Sequence, residues 1–196
     1  MALMKLTSFF AALFILASVA LAQDGRQPAF PKRPFNHDAK FVTEYEAKEN
    51  ITHVFLEPVF IDAAKTSLRL AADFQYVGKI PVKPKHISLA FYTLYPDCKF
   101  SSRPILTMLV DGKPMKFGFT FKSFRERKSD EEGVAFSFSE MEGDKCNEVL
   151  AMFISQNNFL KVVNAKHVAV QVDSFEFKLT EANLEALRDL ASRMVK

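Results

Sequence analysis

Chemistry in this chain would first be sought at two cysteines, four histidines and one short acidic run. Cys98 and Cys146 each sit in polar, turn-like surroundings, Tyr95-Pro96-Asp97-Cys98-Lys99 and Gly143-Asp144-Lys145-Cys146-Asn147. Neither has the Cys-x-x-Cys partner that dithiol redox catalysis or a thiolate zinc site uses, and an even count predicts one Cys98–Cys146 disulfide. Closing a loop of roughly 50 residues is worth about 4 kcal/mol on the chain-entropy model. His37, His53, His86 and His167 show no His-x-His or HExxH spacing, so a metal site would have to be assembled from distant segments. No metal and no cofactor is expected. Glu140, Glu142 and Asp144 alternate beside Gly143, and clustered carboxylate oxygens are what calcium prefers. The run lacks the DxDxDG order of an ion-wrapping loop, so a solvated strand end is the simpler reading.

Other familiar signatures are missing from the sequence. The six glycines stand at 25, 78, 112, 118, 133 and 143, a spacing in which neither GxGxxG nor GxxxxGK can be written. No GxSxG elbow occurs either. Asn50-Ile51-Thr52 is a glycosylation sequon with meaning only on a eukaryotic secretory route. Phenylalanine dominates the apolar inventory, with 21 Phe against no Trp, so Phe must supply much of the core. Phe117, Phe119 and Phe121 share one parity, and Phe136 and Phe138 return on a single face after the charged tip Arg125 to Gly133. These five rings read first as core between two sheets, in a second hairpin that stacks Phe on Phe, and secondly as an apolar-ligand pocket.

The elements that must carry these residues begin with an address. Met1 to Lys5 are weakly positive, Leu6 to Val19 almost wholly apolar, and Ala20-Leu21-Ala22 gives the small-x-small exit of a cleaved signal peptide, residues 1–22. A flexible leader, 23–40, follows, with Pro28, Pro31 and Pro34 among Arg26, Lys32, Arg33 and Lys40. Residues 41–196 are expected to form a single β-rich domain.

Within that domain Leu68, Leu70, Ala72, Phe74 and Tyr76 alternate with Arg69, Asp73 and Gln75, the pattern of a half-buried strand, and Ile87, Leu89 and Phe91 repeat it. Between them Lys79-Ile80-Pro81-Val82-Lys83-Pro84-Lys85 reads as a connection. Asp111-Gly112 predicts a type I′ hairpin turn between Ile105–Val110 and Lys113–Phe121. Ser155 is placed to cap a short helix ending at Val163, strands follow over 167–172 and 175–179, and Thr180 caps a last helix striped by Leu184, Leu187, Ala191 and Met194.

The fold expected is therefore mainly β, an antiparallel β-sandwich or open barrel with one short helix and a C-terminal amphipathic helix packed on the sheet. A net charge of +3, from 26 basic and 23 acidic side chains, gives no field for nucleic acid, and no later apolar run suggests membrane insertion after signal cleavage. The function expected is an exported, periplasmic or extracellular, non-enzymatic binding or accessory protein presenting loops or a sheet edge to a protein or glycan. A carrier of a small apolar ligand is the alternative, and a metal-assisted hydrolase a third.

Overall fold

In the computed structural model the described residues are 35–61, 67–100, 104–115, 120–121 and 134–194, and of 120, 121 and 134–137 only the backbone is described. Eleven strands and two helices occur among them: β1 (Phe41–Glu46), β2 (Ile51–Phe60), β3 (Leu68–Val77), β4 (His86–Tyr95), β5 (Leu106–Val110), β6 (Lys113–Met115), β7 (Thr120–Phe121), β8 (Val134–Glu142), β9 (Lys145–Ser155), α1 (Gln156–Val163), β10 (Val168–Val172), β11 (Phe175–Lys178) and α2 (Glu181–Ser192). The signal-peptide stretch, most of the leader, Phe117 and Phe119 lie outside the described residues.

The strands form two sheets, a large one ordered β1-β2-β3-β4-β9-β8-β7 and a small one ordered β11-β10-β5-β6. Period two decides which face of each strand is buried. Leu68, Leu70, Ala72, Phe74 and Tyr76 of β3 are all core, as are Ile87, Leu89 and Phe91 of β4 and Leu150, Met152 and Ile154 of β9. These side chains meet Met108, Val168, Val170, Val172 and Phe177 of the small sheet and the apolar stripes of both helices in one cluster. Phe91 packs edge-to-face on Phe177 at 5.0 Å between ring centres, tying the two layers together. This is the expected β-sandwich with helices on the same covered face.

Local chemistry sets the connections. Asp111 and Gly112 have φ of 49° and 76°, the left-handed pair a type I′ turn demands, and β5 and β6 leave it in register from Val110↔Lys113. The β2–β3 register slips between Leu56 and Val59, a bulge that takes up Pro58, which has no N–H for the ladder. Ser155 caps α1 by accepting from the Asn158 N–H, and Thr180 caps α2 in a box closed by Asn183. Arg188 of α2 then donates to the carbonyls of Val163 and Ala165 at 2.7 and 3.0 Å, fastening α2 to the end of α1. Burial would lower its pKa, but hydrogen bonds to Glu181 and Glu185 win and raise it.

One expectation is corrected here. β7 runs parallel to β8, Thr120 opposite Val134 and Phe121 opposite Ala135, so the two do not form the antiparallel second hairpin. Twelve residues, 122–133, separate them, about the length a parallel crossover requires. The register of β8 on β9 fixes the pairing of its described positions. Ser137 pairs with Leu150 and Ser139 with Glu148, both core-side positions, whereas positions 136 and 138 pair with Ala151 and Val149 on the far face of the large sheet. That face carries its own small cluster of Ala90, Ala151 and Phe153 with Ala71 and Tyr92. The Tyr92 phenol is pushed above its ordinary value there, by burial first and by the charge of Asp73 second.

Candidate functional site

Three places gather the polar or exposed side chains from which a function would be built. The first is the end of the large sheet where β4 stops. Cys98 and Cys146 are joined as expected, with Cα atoms 5.2 Å apart. Beside them Glu148, fully buried in the middle of β9, accepts four hydrogen bonds: from Thr93 Oγ1 at 3.0 Å, the Lys99 N–H at 2.6 Å, the Phe100 N–H at 2.8 Å and Ser139 Oγ at 3.4 Å. Thr93 and Ser139 are its register partners on β4 and β8, so the sheet itself aims both hydroxyls at it. The two N–H groups come from the chain that folds back after β4. Disulfide and carboxylate together clasp residues 96–100 onto β9.

Such a site has limited chemistry. The one group of three ligating side chains brought within 4.8 Å among the described residues is Cys98, Cys146 and Glu148, but its sulfurs are bonded to each other. A carboxylate already holding four donors has every strong acceptor direction committed. The clasp braces the fold rather than meeting a substrate.

The second place is the seat of His37, just before β1. Its ring lies between Phe35 and Phe41, Nδ1 accepts from the Ala39 N–H at 3.1 Å, and Nε2 stands 3.4 Å from Asp189 Oδ2 of α2. Arg193 shares Asp189 and covers the Phe41 ring at 4.1 Å. With Nδ1 engaged by backbone and Nε2 facing a carboxylate, the imidazole anchors residues 35–40 on the last helix. Ser192 donates to Asp189 and not to His37, so the trio is no nucleophile–base pair. His53, His86 and His167 lie on other elements, and among the described residues no histidine joins a three-ligand group.

The third place is the opposite end of β4, where β3 hands over to it. Gly78, at φ 81°, starts the connection, its N–H donating to the Asn50 carbonyl at 2.7 Å and its carbonyl accepting from Thr52 Oγ1 at 2.5 Å. Pro84 is buried at the far side, and His86 enters β4 opposite Ser155. Between these fixed points Ile80 and Val82 are 79 and 47 % exposed, alongside the exposed Lys79, Lys83 and Lys85, and Val77 at the end of β3 is 69 % exposed. Lys79 Nζ lies 4.7 Å from the centre of the Tyr45 ring, whose hydroxyl donates to Asn50 Oδ1. Apolar side chains also stand exposed at Phe60, Ile105 and Met141, but here two such side chains share one short segment with three lysines.

The remaining candidates are placed as follows. Glu140, Glu142 and Asp144 are exposed, the first two paired in register with Asn147 and Lys145 and the third in the turn where Gly143 has φ 65°. Of the five rings proposed as a pocket, Phe117 and Phe119 lie outside the described residues, Phe121 and Phe136 are described by backbone alone, and Phe138 is half-buried. The interior that is described is filled by ring-on-ring packing, Phe100 and Phe177 both meeting Phe175. Two features went unread in the sequence: Glu148, whose donors come from three distant segments, and the loop over 77–85. The loop did leave a signal, since no acidic residue occurs between Asp73 and Asp97 while three lysines alternate with aliphatic residues and prolines.

No helix among the described residues is long and apolar enough to cross a membrane. Comparison of the chain with protein-family models, curated proteins and solved structures gives no match.

Proposed function

We propose that this is an exported, non-enzymatic binding or accessory protein that presents the 77–85 loop end of its sandwich to a partner outside the cytosol. One contrast carries the reading. Cys98, Cys146 and Glu148 are occupied in holding the fold together, whereas Ile80 and Val82 stand in solvent on a connection braced at both ends, next to the exposed Val77 at the end of β3. The Cys98–Cys146 disulfide supports export, because such bonds persist in oxidising compartments. The apolar leader Leu6 to Ala22 supports it independently.

Photo-cross-linking in the native host tests the proposal. A photoreactive residue at position 80 or 82 should give a discrete adduct, and one at the exposed position 176 on β11 should not. Adducts at 176 alone would refute the reading. Turnover of a substrate that Glu148→Gln abolishes in a still-folded protein would refute it as well.

A further inference from the structure

We infer that the partner of the 77–85 loop is an anionic membrane surface, which the loop meets as a peripheral, reversible contact; the inference rests on the binding reading above. The composition of the loop is that of an interfacial segment. Val77, Ile80 and Val82 offer aliphatic side chains for the boundary between headgroups and acyl chains, and Lys79, Lys83 and Lys85 stand among them to meet lipid phosphates. Tyr45, an amphipathic ring of the kind enriched at membrane interfaces, is held beside Lys79.

Charge selects this occupant over a neutral one. The neighbouring end of β1 and the β1–β2 turn contribute Glu46, Lys48 and Glu49, so with them the loop's three lysines become four against two carboxylates, and the loop itself carries no acid. Geometry favours a surface over a groove-bound ligand. The exposed side chains stand in solvent on a connection between two strands, where one broad surface can meet the aliphatic groups and the lysines together. Rigidity lowers the cost of that contact. With Gly78 bonded to Asn50 and Thr52 and Pro84 buried, the loop loses little conformational freedom on docking.

The test is co-sedimentation of the protein, isolated from the compartment where its host places it, with vesicles of phosphatidylglycerol mixed with phosphatidylcholine or of phosphatidylcholine alone. Binding is expected on the anionic vesicles only, weakening as salt rises from about 0.01 to about 0.15 M and the screening length falls from about 30 to about 8 Å. Lys83→Glu/Lys85→Glu should lower the partition coefficient by at least about 25-fold, about fivefold for each lysine lost. Ile80→Ser/Val82→Ser should lower it about tenfold or more, with thermal unfolding unchanged in both variants. Equal partitioning of wild type and variants, or none at all by wild type, overturns the inference. If vesicles are ignored but position 80 still cross-links an acidic protein, the membrane assignment falls while the binding reading stands. If neither surface is engaged, both fall.

Discussion

The two ends of β4 solve opposite problems with similar means. At its C-terminal end the chain turns back over β9, and a disulfide and a buried carboxylate hold residues 96–100 down, covering Phe100 and satisfying every donor that faces Glu148. At its N-terminal end another braced loop, fixed by Gly78 and Pro84, holds its aliphatic side chains up into solvent. Bracing at one end buries a segment, and at the other it leaves apolar side chains exposed, the arrangement on which the proposed contact surface rests.

This contrast predicts a graded set of effects. Glu148→Ala should be the most damaging, because it leaves two backbone N–H groups and two hydroxyls without their acceptor. Two of the four, Thr93 Oγ1 and the Phe100 N–H, are buried, and at about 1 to 3 kcal/mol for each buried orphan a loss on the order of 3 to 5 kcal/mol is expected in denaturant unfolding. Next comes Cys98→Ser with Cys146→Ser, which opens a loop of 48 residues' separation and should cost about 3 to 4 kcal/mol. Both changes free the same segment, so combining them should cost less than their sum, and full additivity would show that the clasp is not one unit. Ile80→Ser, at the other end, should stay within about 0.5 kcal/mol of wild type.

The smallest effect is a pH dependence at the β5–β6 turn. Asp111 Oδ1 accepts from the Lys166 and His167 N–H groups, both at 2.9 Å, and lies below its ordinary pKa. The His167 hydrogen bond is the main cause, partly opposed by burial and reinforced by Lys166. A depressed folded-state pKa stabilises above the unfolded value, and that stability drains away as pH falls through the folded one. Acid unfolding curves of Asp111→Asn should therefore fall less steeply than those of wild type at the acid end. Asparagine tolerates the φ of 49°, so backbone strain does not confound the comparison.

How far the sequence reaches depends on whether the deciding force is local. β3, the Asp111-Gly112 turn and both helix caps were readable because alternation, positive φ and capping oxygens act within a few residues. β9 was not, since seven consecutive residues from Glu148 to Ile154 are buried and a strand covered on both faces loses its period-two signature. Parity alone does not say which face is core, and in β8 it is Ser139, of the opposite parity to Phe138, that bonds the buried Glu148. Glu148 itself was invisible for the same reason, as its partners are separated from it by as many as 55 positions. The segment 79–85 carries its lysines, aliphatics and prolines openly in the sequence, but that its aliphatic side chains stand in solvent is decided by the folded end around it.

The central claim, that the 77–85 loop is the working surface, is best tested by a single fluorophore. The chain contains no tryptophan, so Ile80→Trp places a lone reporter at the most exposed aliphatic position of the loop. The account predicts water-like emission in buffer that shifts to the blue on adding phosphatidylglycerol-containing vesicles and reverts at high salt. Emission unchanged by those vesicles in a folded protein would contradict it.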